Sequence, residues 1–580
     1  SERIISGKIE IFNGFLQMSH PDYVVDAKFP EQMPLIEKVY PLTAGLSNKM
    51  INKVITQAIA KIPQMPEWLD RNLIAQEKFF SFNQAMLAAH NPQNIADLSP
   101  HSPARRRLAY DELLANQLAL SIVRSHFKKQ KGRIIKSADK LAAQLKQLLP
   151  FELTNAQKKA IDMINNALGS PYRMLQLLQG DVGSGKTIVA LMTMLNAVEQ
   201  GYQASIMAPT EILAKQHYET ISELCKKINV RTALLTSNIK GKTRQNLLNE
   251  LQNGTIQILI GTHALFTEDV KFYDLAYAVI DEQHRFGVKQ RLNLSLKGNL
   301  CDVLVMTATP IPRTLLLTQY GDMEYIKLDE LPAGRKPVNT TVMPLSKIHE
   351  VISALERKLK EKTQAYWVCP LVEESEKIDL SAATERFESL KKIFTDKVGL
   401  VHGKMKESEK NAVMQEFQSG RLKLLVSTTV IEVGVNVPNA TIMVVEHAER
   451  FGLAQLHQLR GRVGRGADQS YCILLTRLEL SKETRKRMDI MVATNDGFRI
   501  AEADLQLRGP GDLEGTQQSG LPFELRIASL STDGQMLEIA RHAALDILEE
   551  DPQLSLDKNA LLVHQLGKLK QRAVDWGLIS

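Results

Sequence analysis

The sequence predicts an α/β protein with two parallel-sheet domains in tandem. Two sets of short apolar runs alternate with helical segments, and a linker around LPAGRKPVN separates the two sets. The first set is MLQLLQ, ASIMAP, IQILIGT, YAVIDE and DVLVMTAT, and the second is AYWVCP, VGLVHG, LKLLVST, TIMVVEH and SYCILL. Runs this apolar are typical of parallel strands that are covered by helices on both faces. Ligands of such sheets bind at the carboxyl ends of the strands, so we expect the functional residues there.

The composition is that of an ordinary globular protein, with 580 residues, of which 44% are hydrophobic and 24% charged. The sequence contains no uninterrupted apolar run of about 18 residues, so no membrane span is predicted. The cysteines at positions 225, 301, 369 and 472 are too far apart for a zinc or disulfide framework, which favours the reducing cytoplasm. The net charge of +7 favours a polyanionic partner. The segment from His101 to Lys140 contains ten Lys or Arg and three Asp or Glu. This excess of positive charge is consistent either with a solvated helix surface or with a face that contacts phosphates.

The segments outside the two sets have other patterns. Residues 4–15 are typical of one or two strands, and prolines at positions 21, 30 and 34 then interrupt regular structure. From about residue 41 to residue 150, apolar residues recur at helical spacing. After about residue 494, the Gly-rich stretch LRGPGDLEGTQQSG is followed by helical sequence. We therefore expect five segments: a β segment (1–40), a helical linker (41–150), two sheet domains (151–335 and 336–490) and a mixed helical segment (491–580).

A phosphate-binding motif follows the first apolar run. It matches GxxxxGK[ST] and consists of Gly180, Asp181, Val182, Gly183, Ser184, Gly185, Lys186 and Thr187. The motif lies between a predicted strand and a predicted helix, which is the context that it requires. Its glycines let backbone N–H groups wrap a phosphate chain, and the start of the helix attracts the same anion. We expect this loop to bind ATP, with Lys186 at the β- and γ-phosphates and Thr187 as a ligand of Mg²⁺.

An acidic pair ends the run YAVIDE. Asp281 is the expected partner of Mg²⁺, and Glu282 is expected to orient and deprotonate the attacking water. Gln283 and His284 follow at the expected boundary between the nucleotide and the next strand, although a structural role explains the histidine equally well. Thr307 and Thr309, at the end of the run DVLVMTAT, fit two interpretations: their hydroxyls hydrogen-bond the acidic pair and report the nucleotide state, or they form a turn at the strand end.

Arginines spaced by glycines occur in the second domain, in the segment QLRGRVGR. Guanidinium groups can stabilise the charge on a transferring phosphoryl group, and a basic loop of this kind can also bind nucleic acid. Because the first domain already carries a phosphate loop, we favour the phosphoryl role for Arg462 and Arg465. ATP would then lie in a cleft between the two domains, and its binding and hydrolysis would close and open the cleft.

A family resemblance rests on an ordered set of motifs. These are GDVGSGKT, MAPTEILAKQH, IGTHALF, DEQHRFGVKQR, TATPIPRT, VHGKMK, STTVIEVGVNVPNA and QLHQLRGRVGR. The set resembles the superfamily 2 helicases, and the spelling of DEQHRFGVKQR and LPAGRKPV resembles the RecG family of branched-DNA translocases. The tail IAEADLQLRGPGDLEGTQQSG resembles the translocation motif that RecG shares with the transcription–repair coupling translocase. The resemblance runs from about Gly7 to about Glu550.

The resemblance implies that the two sheets are RecA-like helicase domains that use ATP and Mg²⁺. It implies ATP-dependent remodelling of stalled replication forks and Holliday junctions, with 3′ to 5′ polarity, in recombination and DNA repair. The implied partners are branched and duplex DNA, without a membrane, and the implied state is a cytoplasmic monomer.

Further site residues are implied by the same resemblance. Gln157 corresponds to an adenine-reading glutamine. Thr210, Thr262 and His263 correspond to contacts with the DNA backbone. Gly434 lies where the second domain meets DNA and nucleotide, and Arg508 and Gln518 lie in the translocation loop.

The chain departs from the family pattern in three places. Asn436 stands where the family usually has Asp, which would weaken coupling, and Gln517 stands where a basic residue is common. The third departure concerns the N-terminal wedge domain, an OB fold of about five strands in the relatives. Residues 1–40 are interpreted as the back end of that domain, in a fragment or gene remnant with impaired junction unwinding.

Two alternatives to the helicase interpretation stay open at this point. One is a duplex translocase of the transcription–repair coupling type, and the other is a remnant that binds DNA without catalysis or retains only a DNA-stimulated ATPase. An ATPase assay with and without forked DNA discriminates best among them.

Overall fold

The structure is a computed structural model of the chain. It describes residues 2–12, 15–19, 21, 23–33, 36–129, 131–281, 300–308, 310, 312, 323–332, 335–360, 363–370, 376–428, 437–464, 466, 468–507, 525–559 and 562–564. The chain divides into two compact units: Ser1–Leu118 together with Phe523–Ser580, and Ala119–Pro522. None of the helices in the described ranges combines the length and apolar character that a membrane span needs. The four cysteines are buried and free.

The smaller unit begins with four short strands: β1 (Arg3–Ser6), β2 (Glu10–Phe12), β3 (Phe15–Gln17) and β4 (Tyr23–Asp26). They pair in antiparallel fashion as β1–β4 and β2–β3. Two of these strands, β1 and β2, lie in the region where one or two strands were predicted, and β3 and β4 were not predicted. Strands of three or four residues, most of them exposed, bury too little apolar surface to produce a clear pattern. The dipeptide Asn13-Gly14 between β2 and β3 was the overlooked signal, because Asn-Gly favours a two-residue hairpin.

Helices make up the rest of the smaller unit. They are α1 (Asn48–Ile59), α2 (Arg71–Glu77), α3 (Phe82–His90), the first part of α4 (Pro103–Lys129) and the helix Leu530–Glu550. The carboxylate of Glu112 on α4 accepts the backbone N–H groups of Arg526, Ile527 and Ala528, at 2.8–2.9 Å. This cluster of hydrogen bonds holds the segment that precedes the last helix against α4.

Three consecutive arginines of the basic stretch lie at the start of α4, and each is paired with a carboxylate. The pairs are Arg105–Asp533 at 2.6 Å, Arg106–Glu77 at 2.6 Å and Arg107–Glu67 at 2.8 Å. Arg107 is fully buried and also donates to Asp111 at 3.0 Å. These three arginines are therefore paired within the smaller unit, and pairing is what makes the fully buried charge of Arg107 stable.

The first sheet of the larger unit has seven parallel strands in the order β11-β5-β10-β9-β6-β8-β7. The strands are β5 (Leu175–Gly180), β6 (Gln203–Met207), β7 (Thr232–Leu235), β8 (Ile258–Gly261), β9 (Leu275–Ile280), β10 (Asp302–Thr307) and β11 (Glu324–Leu328). The associated helices are α5 (Lys140–Leu148), α6 (Asn155–Leu168), α7 (Lys186–Glu199), α8 (Glu211–Lys227) and α9 (Gly241–Gln252).

The second sheet has six parallel strands in the order β12-β17-β16-β13-β15-β14. They are β12 (Asn339–Pro344), β13 (Gln364–Val368), β14 (Val398–Val401), β15 (Leu424–Ser427), β16 (Ala440–Val445) and β17 (Tyr471–Thr476). The associated helices are α10 (Ile348–Leu359), α11 (Glu376–Phe394), α12 (Glu407–Gln418), α13 (Leu453–Arg460), α14 (Lys482–Ala493) and α15 (Gly497–Leu507).

The two parallel sheets confirm the predicted fold class, and both faces of each sheet are covered. In β9, for example, Tyr277 and Val279 join one apolar core while Ala278 and Ile280 join the core on the opposite face. All ten predicted strands are present. The three that the sequence did not predict, β7, β11 and β12, are edge strands. An edge strand is only partly covered, so its sequence is less apolar than that of a central strand.

Candidate nucleotide-binding site

The phosphate loop connects β5 to α7, as predicted. Gly183 and Gly185 have φ values of +79° and +88°, which glycine adopts without the steric cost that a Cβ would bring. No side chain caps the start of α7, so the first N–H groups of the helix remain available to an anion. Lys186 is 9% exposed, and its Nζ donates to the backbone oxygens of Gly180 at 2.7 Å and Asp181 at 3.0 Å. The ammonium group is thus held inside the loop.

Gln157 supports the loop from α6. Its Nε2 donates to the backbone oxygen of Ser184 at 2.8 Å, and its Oε1 accepts the N–H of Thr154 at 3.0 Å. The side chain is 1% exposed and lies so close to Gly185 that a Cβ there would collide with it. Both ends of the amide therefore bind protein atoms, and the predicted contact with adenine stays a prediction.

Asp281 directly follows β9 and is 7% exposed. Only β10 separates β9 from β5, so the aspartate lies two strand spacings, or about 10 Å, from the phosphate-loop strand. Thr307, which is 1% exposed, ends the strand between them. Carboxylate and hydroxyl oxygens are the ligands that Mg²⁺ prefers, so Asp281 and Thr187 suit the ion chemically.

His217 is a residue of this site that the sequence analysis did not identify. It lies on α8, and its Nε2 is 2.8 Å from Oδ2 of Asp281. The contact fixes the orientation of the carboxylate. The motif MAPTEILAKQH contains this histidine, but nothing in the sequence pairs it with a residue 64 positions away.

The second sheet contributes a histidine to the phosphate loop. His457, on α13, places its Nε2 3.1 Å from Oδ1 of Asp181, and the backbone N–H of Gly497 lies 3.4 Å from Oδ2 of the same carboxylate. Burial by itself would raise the pKa of Asp181. The hydrogen bond of His457, the N–H of Gly497 and the charge of Lys186 outweigh burial, so the pKa lies below its ordinary value.

Arg460 orients this histidine. It is 2% exposed, and its Nη1 donates to the backbone oxygens of Met491 at 2.8 Å and Thr494 at 2.9 Å. Its Nη2 lies 3.2 Å from Nδ1 of His457. Since a guanidinium group only donates, Nδ1 accepts this hydrogen bond and the ring proton lies on Nε2, which donates to Asp181. Arg460, the first arginine of QLRGRVGR, is therefore a structural support rather than a phosphate ligand in this arrangement.

The arginine–glycine segment that follows faces the phosphate loop. A Cβ built on Gly461 would lie 3.2 Å from the Cβ of Val182. Arg462 is next in sequence and is 8% exposed. The linker residue Arg335 donates from Nη1 to the backbone oxygen of Val182 at 2.6 Å and from Nε to that of Gly464 at 2.7 Å. The two sheets thus meet at this loop, as the cleft hypothesis requires.

Comparison with known proteins identifies the family. The chain is 46% identical over 550 residues to the ATP-dependent DNA helicase RecG of Bacillus subtilis. The aligned region covers 94% of this chain and 80% of the relative. The chain belongs to the RecG family. It is also 42% identical to RecG of Escherichia coli O157:H7, over 93% of this chain and 79% of the relative.

The RecG assignment extends over the separate segments of the chain. Residues 154–317 match the DEAD/DEAH box helicase family, residues 346–467 match the helicase conserved C-terminal domain, and residues 494–580 match the C-terminal part of domain 3 of RecG. A solved structure of RecG bound to a three-way DNA junction superposes with a TM-score of 0.68 at 38% identity, covering 93% of this chain and 70% of that chain.

Three residues that the RecG resemblance assigns to DNA lie beyond the carboxyl ends of β6 and β8. Thr210 caps the start of α8 by accepting the N–H of Leu213 at 3.4 Å. Thr262 is 1% exposed, and its hydroxyl has no hydrogen-bond partner within the described ranges. His263 is exposed. These placements share the sheet edge of the phosphate loop, and the DNA contacts themselves stay predictions.

Nine predicted RecG site residues lie outside the described part of the chain. They are Glu282, Gln283, His284, Thr309, Gly434, Asn436, Arg465, Arg508 and Gln518.

Proposed function

We propose that this RecG-family chain binds ATP between its two sheets and uses ATP hydrolysis to move along DNA. One observation carries the proposal: the phosphate loop of the first sheet is held against the QLHQLRGRVGR segment of the second by the contact between His457 and Asp181. Binding and loss of a phosphate at this loop would act directly on the contact between the sheets. That is the arrangement in which a nucleotide cycle drives a domain movement.

The residues of the loop and of the neighbouring strand ends take the following roles in the proposal. Lys186 leaves its present carbonyl partners for the β- and γ-phosphates, and Thr187 and Asp281 would hold Mg²⁺. The ion supplies positive charge at the phosphate oxygens during transfer. His217 fixes the carboxylate of Asp281, so that little reorientation is needed when the nucleotide arrives.

Two further groups complete the proposed hydrolysis. Glu282 follows Asp281 directly and would orient the attacking water and accept its proton. Arg462 and Arg465 would donate to the oxygens of the transferring phosphoryl group from the side of the second sheet. The support for Arg462 is the approach of its neighbour Gly461 to Val182 of the loop.

Coupling to DNA is proposed to run through α15. The first residue of this helix, Gly497, donates its N–H to Asp181, and the helix leads into the segment that contains Arg508 and Gln518. A Cβ at Gly497 would collide with both Asp181 and His457, so the helix start has no room for a side chain. Movement of the loop is thereby transmitted to the start of the proposed translocation segment.

The proposed substrates are branched DNA, including stalled forks and Holliday junctions, and duplex DNA. The likeness to a RecG structure bound to a three-way DNA junction supports this choice. We further propose 3′ to 5′ polarity, a role in recombination and repair, action as a monomer in the cytoplasm, and the five segments bounded at about residues 40, 150, 335 and 490.

The test is ATP hydrolysis measured with and without forked DNA, together with release of a labelled strand from the fork. We expect ATPase activity that forked DNA stimulates and strand release that requires ATP. If forked DNA stimulates the ATPase but no strand is released, the remaining interpretations are a duplex translocase or an ATPase remnant. Absence of nucleotide binding and hydrolysis would refute the proposal.

A further inference from the structure

The linker between the two sheets places a guanidinium group directly on the phosphate loop. Arg335 lies between β11 and β12, and it bridges the two sheets through the backbone oxygens of Val182, at 2.6 Å, and Gly464, at 2.7 Å. It lies so close to Gly183 that a Cβ there would collide with the guanidinium group. The proposed function assigns this arginine no role.

In the described part of the chain, Arg335 hydrogen-bonds only to neutral groups. Both of its hydrogen-bond acceptors are neutral carbonyl oxygens, and within the described ranges it forms no ion pair. Burial lowers the pKa of the guanidinium group, and the carboxylate of Asp181 offsets this only in part. A partly buried cation whose hydrogen bonds go only to neutral groups is costly, so the site favours an incoming anion. The phosphate loop is built to receive one.

The position of Arg335 indicates which phosphate it would meet. Nζ of Lys186, the group expected at the β- and γ-phosphates, lies on the backbone oxygens of Gly180 and Asp181. The Gly180–Val182 end of the loop is therefore the end nearest the terminal phosphate. Arg335 is bound to the next backbone oxygen, that of Val182, on the side that faces the second sheet.

We propose that Arg335 is a nucleotide-binding residue that recognises the terminal phosphate of ATP. Its Nη1 exchanges the oxygen of Val182 for a phosphate oxygen, while Nε keeps its hydrogen bond to Gly464. A guanidinium group suits this exchange because its donors form a rigid fork that matches phosphate oxygens. The terminal phosphate is thereby connected to the arginine–glycine segment of the second sheet, and its loss after hydrolysis returns Arg335 to Val182. The inference rests on the proposed binding of ATP at this loop.

The test compares a labelled non-hydrolysable ATP analogue with labelled ADP, by fluorescence anisotropy on the full chain. We expect Arg335→Ala to weaken binding of the ATP analogue at least about tenfold, the effect of losing a hydrogen bond between charged groups. Binding of ADP should change less than about threefold. Arg335→Lys should weaken the ATP analogue to an intermediate extent, because an ammonium group keeps the charge and loses the fork.

Lys336→Ala is the matched control, since Lys336 is the exposed cation next in sequence and should leave both affinities unchanged. If Arg335→Ala does not fold, as judged by thermal unfolding, the Arg335→Lys comparison decides the question. Equal weakening of both nucleotides, or no weakening, would overturn this inference while leaving the proposed function intact. A wild-type chain that binds neither nucleotide would overturn both.

Discussion

The two parallel sheets share one architecture, but they contribute to the candidate site by different means. The first sheet contributes a loop whose N–H groups and positive-φ glycines suit a phosphate chain, together with side chains in that loop and at the neighbouring strand end, such as Lys186 and Asp281. The second contributes side chains that reach across to that loop, as His457 reaches Asp181. A backbone site requires glycines at fixed spacing and is therefore visible in the sequence. A side chain that contacts the other sheet is not visible in this way, because in the sequence it is a single residue whose partner is 276 positions away.

The sharpest test of the first sheet's contribution is Lys186→Ala. We expect ATP hydrolysis to fall at least about 100-fold, because the loop loses the ammonium group that is predicted to bind the β- and γ-phosphates. The measurement is steady-state phosphate release with saturating forked DNA. Lys159→Ala, which removes an exposed cation on α6, serves as the control and should retain full activity. Undiminished turnover in Lys186→Ala would place the chemistry elsewhere.

Arg462→Ala tests the contribution of the second sheet to the same reaction. We expect kcat to fall about 1,000-fold with little change in affinity for a non-hydrolysable ATP analogue, since a phosphoryl-stabilising arginine acts mainly in the transition state. Arg421→Ala, an exposed arginine of the same domain, is the control. If nucleotide affinity and turnover fall in parallel, Arg462 acts in binding or folding, and the proposed division of labour between the sheets is wrong.

Arg460→Ala separates structural support from chemistry within one motif. The substitution leaves the backbone oxygens of Met491 and Thr494 without their donor, so we expect the free energy of unfolding to fall by about 2–4 kcal/mol. Urea unfolding gives this value, and DNA stimulation of the ATPase should also weaken because His457 loses its orientation. Arg487→Ala is a matched comparison, since Arg487 binds the backbone oxygens of Phe451 and Glu449 without touching His457. Equal loss of stimulation in both variants would contradict a specific role for Arg460.

The smallest expected effect is that of the contact that joins the sheets. In a double-mutant cycle of Asp181→Asn and His457→Gln, we expect an interaction free energy of about 1 kcal/mol in unfolding. Because the pKa of Asp181 is lowered in the folded chain, its contribution is present above the ordinary value of about 3.9 and is lost as the pH falls through the lower folded value. The contribution of the Asp181 carboxylate should therefore be constant from about pH 5 upward. Strict additivity at neutral pH would show that the contact does not join the sheets energetically.

The central strands and the phosphate loop were predictable because each depends on neighbours in sequence. The run YAVI and the motif GDVGSGKT carry their own signals, apolar continuity in one case and glycine spacing in the other. The short strands β1 to β4 and the edge strands β7, β11 and β12 carry weaker signals, because fewer of their side chains are buried. Within the basic stretch His101–Lys140, the structure pairs Arg105, Arg106 and Arg107 with carboxylates that are distant in sequence, which neither interpretation anticipated.

The sequence by itself determined the two-sheet architecture, the phosphate loop with Lys186, and the family. Local patterns suffice for these, because strand burial and loop geometry are set by residues that follow one another. Only the tertiary structure decided that His217 holds Asp281, that Arg460 supports His457, and that Arg335 lies on the loop. Each of these contacts joins side chains or carbonyl groups from separate elements. These groups come within hydrogen-bonding distance only when the elements that carry them pack together.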